Sequence, residues 1–130
     1  MRVLLDTHTL LWYALDDKRL SDAARLLIVD SQNEVFMSPV SWWEIAIKVS
    51  IGKLKLHQPY DDFIDVCRYR YAFHILNIEP AHTARLAALA FPPNHKDPFD
   101  RLLVAQAIVE QVAIVSSDEP LDAYPVHRIW

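Results

Sequence analysis

Four carboxylates stand where a folded chain can use them together: Asp6, Glu44, Asp100 and Asp118. Asp6 closes the apolar run Val3-Leu4-Leu5, and Asp118 follows Ala113-Ile114-Val115 after only Ser116-Ser117. Asp100 lies in the segment His95-Lys96-Asp97-Pro98-Phe99-Asp100, which opens a helical pattern. Glu44 sits among Trp42, Trp43, Ile45, Ala46 and Ile47. A carboxylate so surrounded is costly unless it has a partner. Lys48, four residues on, is one candidate and a metal ion is another. A group of carboxylates does not stay ionised together without a cation. Hard oxygen donors suit Mg²⁺ or Mn²⁺, which also bind substrate phosphates. The chemistry that follows is metal-assisted phosphodiester hydrolysis.

Each acid also has a purely structural reading. Asp6 and Asp118 can cap helices, an interaction worth about 1 kcal/mol. Asp97-Pro98-Phe99-Asp100 is close to a capping box, with proline at the first helical position. Glu44 and Lys48 can form a plain surface pair. The elements that carry the acids decide between these readings.

Arg2–Leu5 reads as a buried strand and Thr7–Leu15 as the first helix. Ser21 caps a second helix that runs to about Asp30. Glu34–Met37 is a strand, and Ser38-Pro39 opens a helix through about Val49. A helix over Tyr60–Tyr71 has Phe63, Ile64, Cys67 and Tyr71 on one stripe. Phe73–Ile78 follows as a strand, Pro80–Ala90 as a helix, Asn94–Pro98 as a loop and Phe99–Gln111 as a helix. Ala113–Val115 and Val126–Ile129 complete the strands. Strands alternating with helices imply an α/β chain, a mostly parallel central sheet covered on both faces in three α/β/α layers. The length of 130 residues fits a single domain over 1–130. Ligand sites in such sheets lie at the carboxyl ends of the strands. That is where Asp6 and Asp118 fall.

Composition excludes several classes. The single glycine, Gly52, cannot build either of the glycine-rich phosphate loops. The single cysteine, Cys67, allows no internal disulfide and no cysteine-based zinc site, which fits a reducing compartment. Among the six histidines no pair has the H-x-x-x-H spacing of a helical zinc site. The longest uncharged stretch, Leu86–His95, contains two prolines and is too short to span a membrane. Asp6 interrupts the first apolar run too early for a signal peptide, so a cytoplasmic location is expected. Seventeen acids against 13 bases give a net charge of −4, which disfavours non-specific coating of nucleic acid. Without the four acids above, bases and acids are equal at 13 each. The surplus is thus the size of the proposed site.

At these residues the sequence resembles the PIN domain, and more closely the VapC-type toxins of type II toxin–antitoxin systems. The matching stretches are Leu4-Leu5-Asp6-Thr7-His8, Ser41-Trp42-Trp43-Glu44-Ile45, His95-Lys96-Asp97-Pro98-Phe99-Asp100-Arg101-Leu102-Leu103 and Ile114-Val115-Ser116-Ser117-Asp118. They span nearly the whole chain in the family's order. The resemblance implies a metal-dependent ribonuclease that hydrolyses RNA to 5′-phosphate and 3′-hydroxyl ends. It implies Asp6 and Asp100 as the firmest metal ligands. Glu44 would ligate the metal or orient the attacking water, and Asp118 would ligate directly or through water. Ser116 stands where the family usually has threonine and keeps the hydroxyl. An antitoxin that covers the acidic site and a homodimer are implied as partners.

Lys48, Lys53, Lys55, Lys96 and Arg101 flank the acids and are candidates to hold RNA phosphates, with Ser116 a further substrate contact. For each lysine or arginine a solvated surface role is the simpler reading. His8 and His95 lie near the proposed site, with turn or surface roles favoured. Arg68 and Arg70 alternate with Tyr69 and Tyr71, a pattern that suits base stacking and suits an amphipathic helix better. Trp42 and Trp43 are adjacent, so one helix cannot aim both at the same core, and one is free to line a partner surface. Three other classes compete. An aspartyl phosphatase needs a second aspartate where this chain has His8. A receiver domain needs an acidic pair straight after the first strand. A non-catalytic interaction module on the same fold needs only that no metal binds.

Overall fold

The computed structural model describes residues 1–130. Five strands form one sheet in the order β3-β2-β1-β4-β5, and every neighbouring pair is parallel. They are β1 (Arg2–Leu5), β2 (Glu34–Met37), β3 (His74–Ile75), β4 (Ala113–Val115) and β5 (Arg128–Ile129). The helices are α1 (Thr7–Ala14), α2 (Asp22–Val29), α3 (Pro39–Ser50), α4 (Tyr60–Asp65), α5 (Pro80–Ala87) and α6 (Pro98–Glu110). No helix is long and apolar enough to cross a membrane.

Side chains alternate across the pleat and separate two cores. Val3, Leu5, Val35, Met37, Ala113 and Val115 face one way, onto α1, α2 and the Phe63–Cys67 stripe. Leu4 and Ile114 face the other way, onto Leu103, Val104 and Ala107 of α6 and onto Leu121. The chain therefore has the three-layer α/β/α architecture that its element pattern implies.

From β1 the chain moves outward through β2 to β3. It then returns across the sheet, through α5 and α6, to β4 on the other side of β1. Strand order thus reverses between β1 and β4. The crevice outside their carboxyl ends is the usual ligand position in an open parallel sheet. Backbone pairing carries past the strands: Asp6 N–H donates to Val115 O at 3.2 Å, locking the two strand ends together.

Several boundaries differ from the sequence expectations. The Tyr60–Tyr71 helix is α4 followed by a π-helical turn over Val66–Arg70, closed by Tyr71 N–H to Val66 O at 2.9 Å. Ala72 then takes φ 57° and ends it. The wider turn keeps Phe63 and Cys67 buried and sets Tyr71 edge-on to Tyr13 at 5.1 Å. Burial pushes the Cys67 thiol up to about 12, so it packs as a neutral hydrophobe. The β3 and β5 strands hold two residues each, because both are edge strands with one pairing neighbour. Gly52, with φ 73°, turns the chain after α3, the one place where the backbone uses glycine's freedom. Trp42 points inward and donates from Nε1 to Met37 Sδ at 3.5 Å. Trp43 is 61% exposed and meets Phe99 edge-on at 5.0 Å.

Candidate metal centre at the carboxyl edge of the sheet

Asp6 leaves β1 and caps α1, its Oδ1 accepting from Thr9 N–H at 2.8 Å. Capping occupies one carboxylate oxygen, so the structural reading and the ligand reading are compatible. The residue is 3% exposed. Burial raises its pKa, opposed by hydrogen bonds from Ser116 and Thr9 and by the nearby His8.

Asp118 follows β4. Its backbone N–H donates to Ser116 Oγ at 3.0 Å, while its carboxylate caps nothing. The capping reading fails for this residue, and its side chain is free to face the cleft. The fully buried Ser116 holds the turn and favours the charged form of Asp6. Its expected contact with substrate gives way to this positioning role, because no surface of it reaches solvent.

Asp97 and Asp100 divide their labour. Asp97 is the N-cap of α6, accepting from Asp100 N–H at 2.9 Å. Asp100 is thereby released from capping, and its Oδ2 lies 3.3 Å from His95 Nε2. Its pKa is pushed up to about 8, first by burial and then by Asp97, Asp6, Glu44 and Asp118. Asp100 thus feels the charge of all three other candidate acids. Replacing Asp97 by Ala is expected to cost about 1 kcal/mol in urea denaturation and to leave divalent-metal binding in place.

Glu44 lies on α3, 7% exposed. Its Oε2 pairs with Lys48 Nζ at 3.1 Å, and its Oε1 is buried without any hydrogen-bond partner. Buried carboxylate oxygens are rarely left so. A buried, orphaned carboxylate oxygen is what a hard cation would satisfy. The carboxylate donors of Asp6, Glu44, Asp100 and Asp118 suit a hard divalent cation such as Mg²⁺ or Mn²⁺. Lys48 is accordingly tied to Glu44, and Lys96 is exposed on the loop before α6.

Arg101 departs most from expectation. Only 4% exposed, it donates to Leu89 O and Ala90 O at 2.9 Å each and to Tyr124 Oη at 3.2 Å. Its guanidinium lies over the Phe91 ring, 3.6 Å from the centroid. Both of its terminal nitrogens are committed inside the protein, to the loop before α6 and to Tyr124, so the reading as a phosphate contact is corrected to a structural one.

His95 lies at the site, as its sequence position suggests, and closes a turn with its N–H to Pro92 O at 3.4 Å. It is not a surface residue: it is 6% exposed and 2.7 Å from Tyr124 Oη through Nδ1, a contact the sequence does not show. Its Nε2 lies 3.3 Å from Asp100 and 3.5 Å from Asp118. One ligand atom from each of these three residues falls within 4.8 Å of the others. The available signal was its place at the head of the Asp97–Asp100 segment. Nothing in the sequence marks Tyr124.

A parallel α/β sheet with a carboxylate cluster at its switch point defines a candidate metal-dependent hydrolase. The chain belongs to the PIN domain family, whose pattern matches residues 3–126. Ribonuclease VapC22 of Mycobacterium tuberculosis is 28% identical over 123 residues, 94% of this chain and 91% of that protein. Among solved structures, VapBC2 of Rickettsia felis, bound to a DNA fragment from its promoter, contains a similar chain. It has a TM-score of 0.68 at 16% identity, covering 99% of this chain and 98% of that one. The DNA-bound VapBC of Salmonella typhimurium gives 0.69 at 13% identity, with 99% and 97% covered. These structural likenesses are to the fold.

Proposed function

We propose that this protein is a divalent-metal-dependent endoribonuclease and the toxin of a type II toxin–antitoxin pair, acting in the cytoplasm as a single domain. The observation that carries the reading is the buried, unpartnered Oε1 of Glu44, a carboxylate that together with Asp6 and Asp118 raises the pKa of Asp100. Similarity to Ribonuclease VapC22 along nearly the full length supports RNA as substrate, and similarity to VapBC complexes supports an antitoxin partner.

Asp6 and Asp100 would hold Mg²⁺ or Mn²⁺ from the ends of β1 and the start of α6, with Asp118 ligating directly or through water. Bound there, the ion would lower the pKa of a water and offset charge on the phosphoryl oxygens. Glu44 would ligate or orient that water, with Lys48 holding its other oxygen. A groove lined by His8, Trp12, Lys48 and Lys53 offers cations and an aromatic face to flanking nucleotides. The exposed Trp43, with half-buried Phe99 against it, would line a partner surface, for the antitoxin or for a second copy in a homodimer.

The deciding assay incubates the purified, antitoxin-free protein with total RNA and Mn²⁺ or Mg²⁺. Cleavage is expected, with loss in EDTA and in Asp6→Asn. Cleavage that survives either control would sink the metal mechanism. An inert protein that also binds no Mn²⁺ in calorimetry would favour a non-catalytic interaction module.

A further inference from the structure

We propose that His95 is a positioning residue that bridges Asp100 and Asp118 through its Nε2–H, with its tautomer fixed by a donor chain from Arg101 through Tyr124. The inference rests on the reading of these two acids as metal ligands.

The chain is fixed by proton inventory. A guanidinium only donates. Arg101 Nη1 lies 3.2 Å from Tyr124 Oη, so the phenol oxygen accepts there. Tyr124 is buried, and the acceptor within reach of its own proton is His95 Nδ1 at 2.7 Å. Nδ1 therefore carries the lone pair and Nε2 carries the hydrogen. That N–H donates to Asp100 Oδ2 at 3.3 Å and has the second carboxylate, Asp118 Oδ2, 3.5 Å away.

The competing arrangement makes His95 a third metal ligand through Nε2. The ring proton would then sit on Nδ1 and point at Tyr124. The phenol oxygen would receive two donors, and its own proton would be buried without an acceptor, at a cost of about 1–3 kcal/mol. A doubly protonated ring meets the same objection. His95 thus sets the spacing of two carboxylates that come from different elements, α6 and the turn after β4. Groups that orient ligands in this way commonly change metal affinity about 10–100-fold when removed.

The test uses the full chain labelled with ¹⁵N-histidine. Long-range ¹H–¹⁵N correlation is expected to show His95 with a bare Nδ1 and a protonated Nε2, unchanged on adding Mg²⁺. Calorimetry with Mn²⁺ is expected to show affinity falling about 10-fold or more in His95→Ala and in Tyr124→Phe. Retention of affinity is expected in His95→Gln, whose amide places a donor where Nε2 lies and an acceptor for Tyr124. Circular dichroism confirms that each variant is folded. A wild-type ring protonated at Nδ1, or an Nε2 that loses its proton to Mg²⁺, overturns the inference. So does wild-type Mn²⁺ affinity in both His95→Ala and Tyr124→Phe, and so does a loss in His95→Gln equal to that in His95→Ala. A wild-type protein that binds no Mn²⁺ overturns the metal-site reading and the inference with it.

Discussion

Asp100→Asn is expected to lose RNA cleavage by on the order of 10³-fold while the metal-free protein becomes more stable at pH 8. The two effects have one cause. Asp100 is held among Asp97, Asp6, Glu44 and Asp118 in a poorly solvated corner, and its pKa is pushed up to about 8. The folded protein therefore holds a proton that the unfolded chain, with an aspartate near 3.8, releases. Between those values the folded state binds more protons, so stability falls as pH rises through the window. The asparagine cannot ionise and escapes that penalty. Its advantage should be about 2 kcal/mol at pH 8, discounted for the solvent that still reaches the group, and should vanish near pH 4. Urea denaturation of both proteins in EDTA at the two pH values measures it. A variant less stable than wild type at pH 8 would show that the acids do not repel one another as the geometry requires.

The same proton makes cation binding pH-dependent. Mn²⁺ can occupy Asp100 only after displacing it, so affinity should fall roughly tenfold per pH unit below pH 8. Calorimetry in buffers of different ionisation enthalpy would count the proton released. This separates a metal site from a cluster of capping acids, since caps have no reason to release protons to Mn²⁺.

The acids were legible in the sequence for two reasons. Asp6 and Asp118 stand directly after apolar runs, and parallel topology sends all strand ends to one edge. Glu44 stood out because its neighbours are apolar, and burial of a charge demands a partner. The sheet itself was legible because β1, β2 and β4 are short apolar runs between helical patterns. Less was visible where a residue's role depends on partners distant in sequence. His95 reaches Tyr124, 29 residues away, through a loop that has no periodicity to read. The π-helical turn was hidden because Phe63, Cys67 and Tyr71 fall on a helical stripe that the wider turn also satisfies. Edge-strand lengths depend on a pairing neighbour, which local apolar patterning does not report.

Arg101 is the sharpest case, and its replacement should have the largest effect on stability. One position after Asp100, it reads from sequence as a cation beside a phosphate. Helix geometry turns consecutive side chains about 100° apart, so the neighbour of a cleft acid points into the protein. There Arg101 ties Leu89 O, Ala90 O and Tyr124 Oη together and lies over the Phe91 ring. All three hydrogen-bond partners are uncharged oxygens. Removing the guanidinium would leave Leu89 O and Tyr124 Oη without that donor in a buried place while also removing its packing. Arg101→Ala is therefore expected to lose about 3 kcal/mol in urea denaturation. Arg101→Lys should recover only a minor part, because one ammonium cannot fork across two carbonyls and stack on a ring. Below the melting temperature, KM for RNA should be unchanged in both variants, since no phosphate is touched. A fall in Mn²⁺ affinity should accompany Arg101→Ala, because Tyr124 loses the donor that aims its proton at His95. A rise in KM with stability intact would return Arg101 to the role that its sequence position suggests.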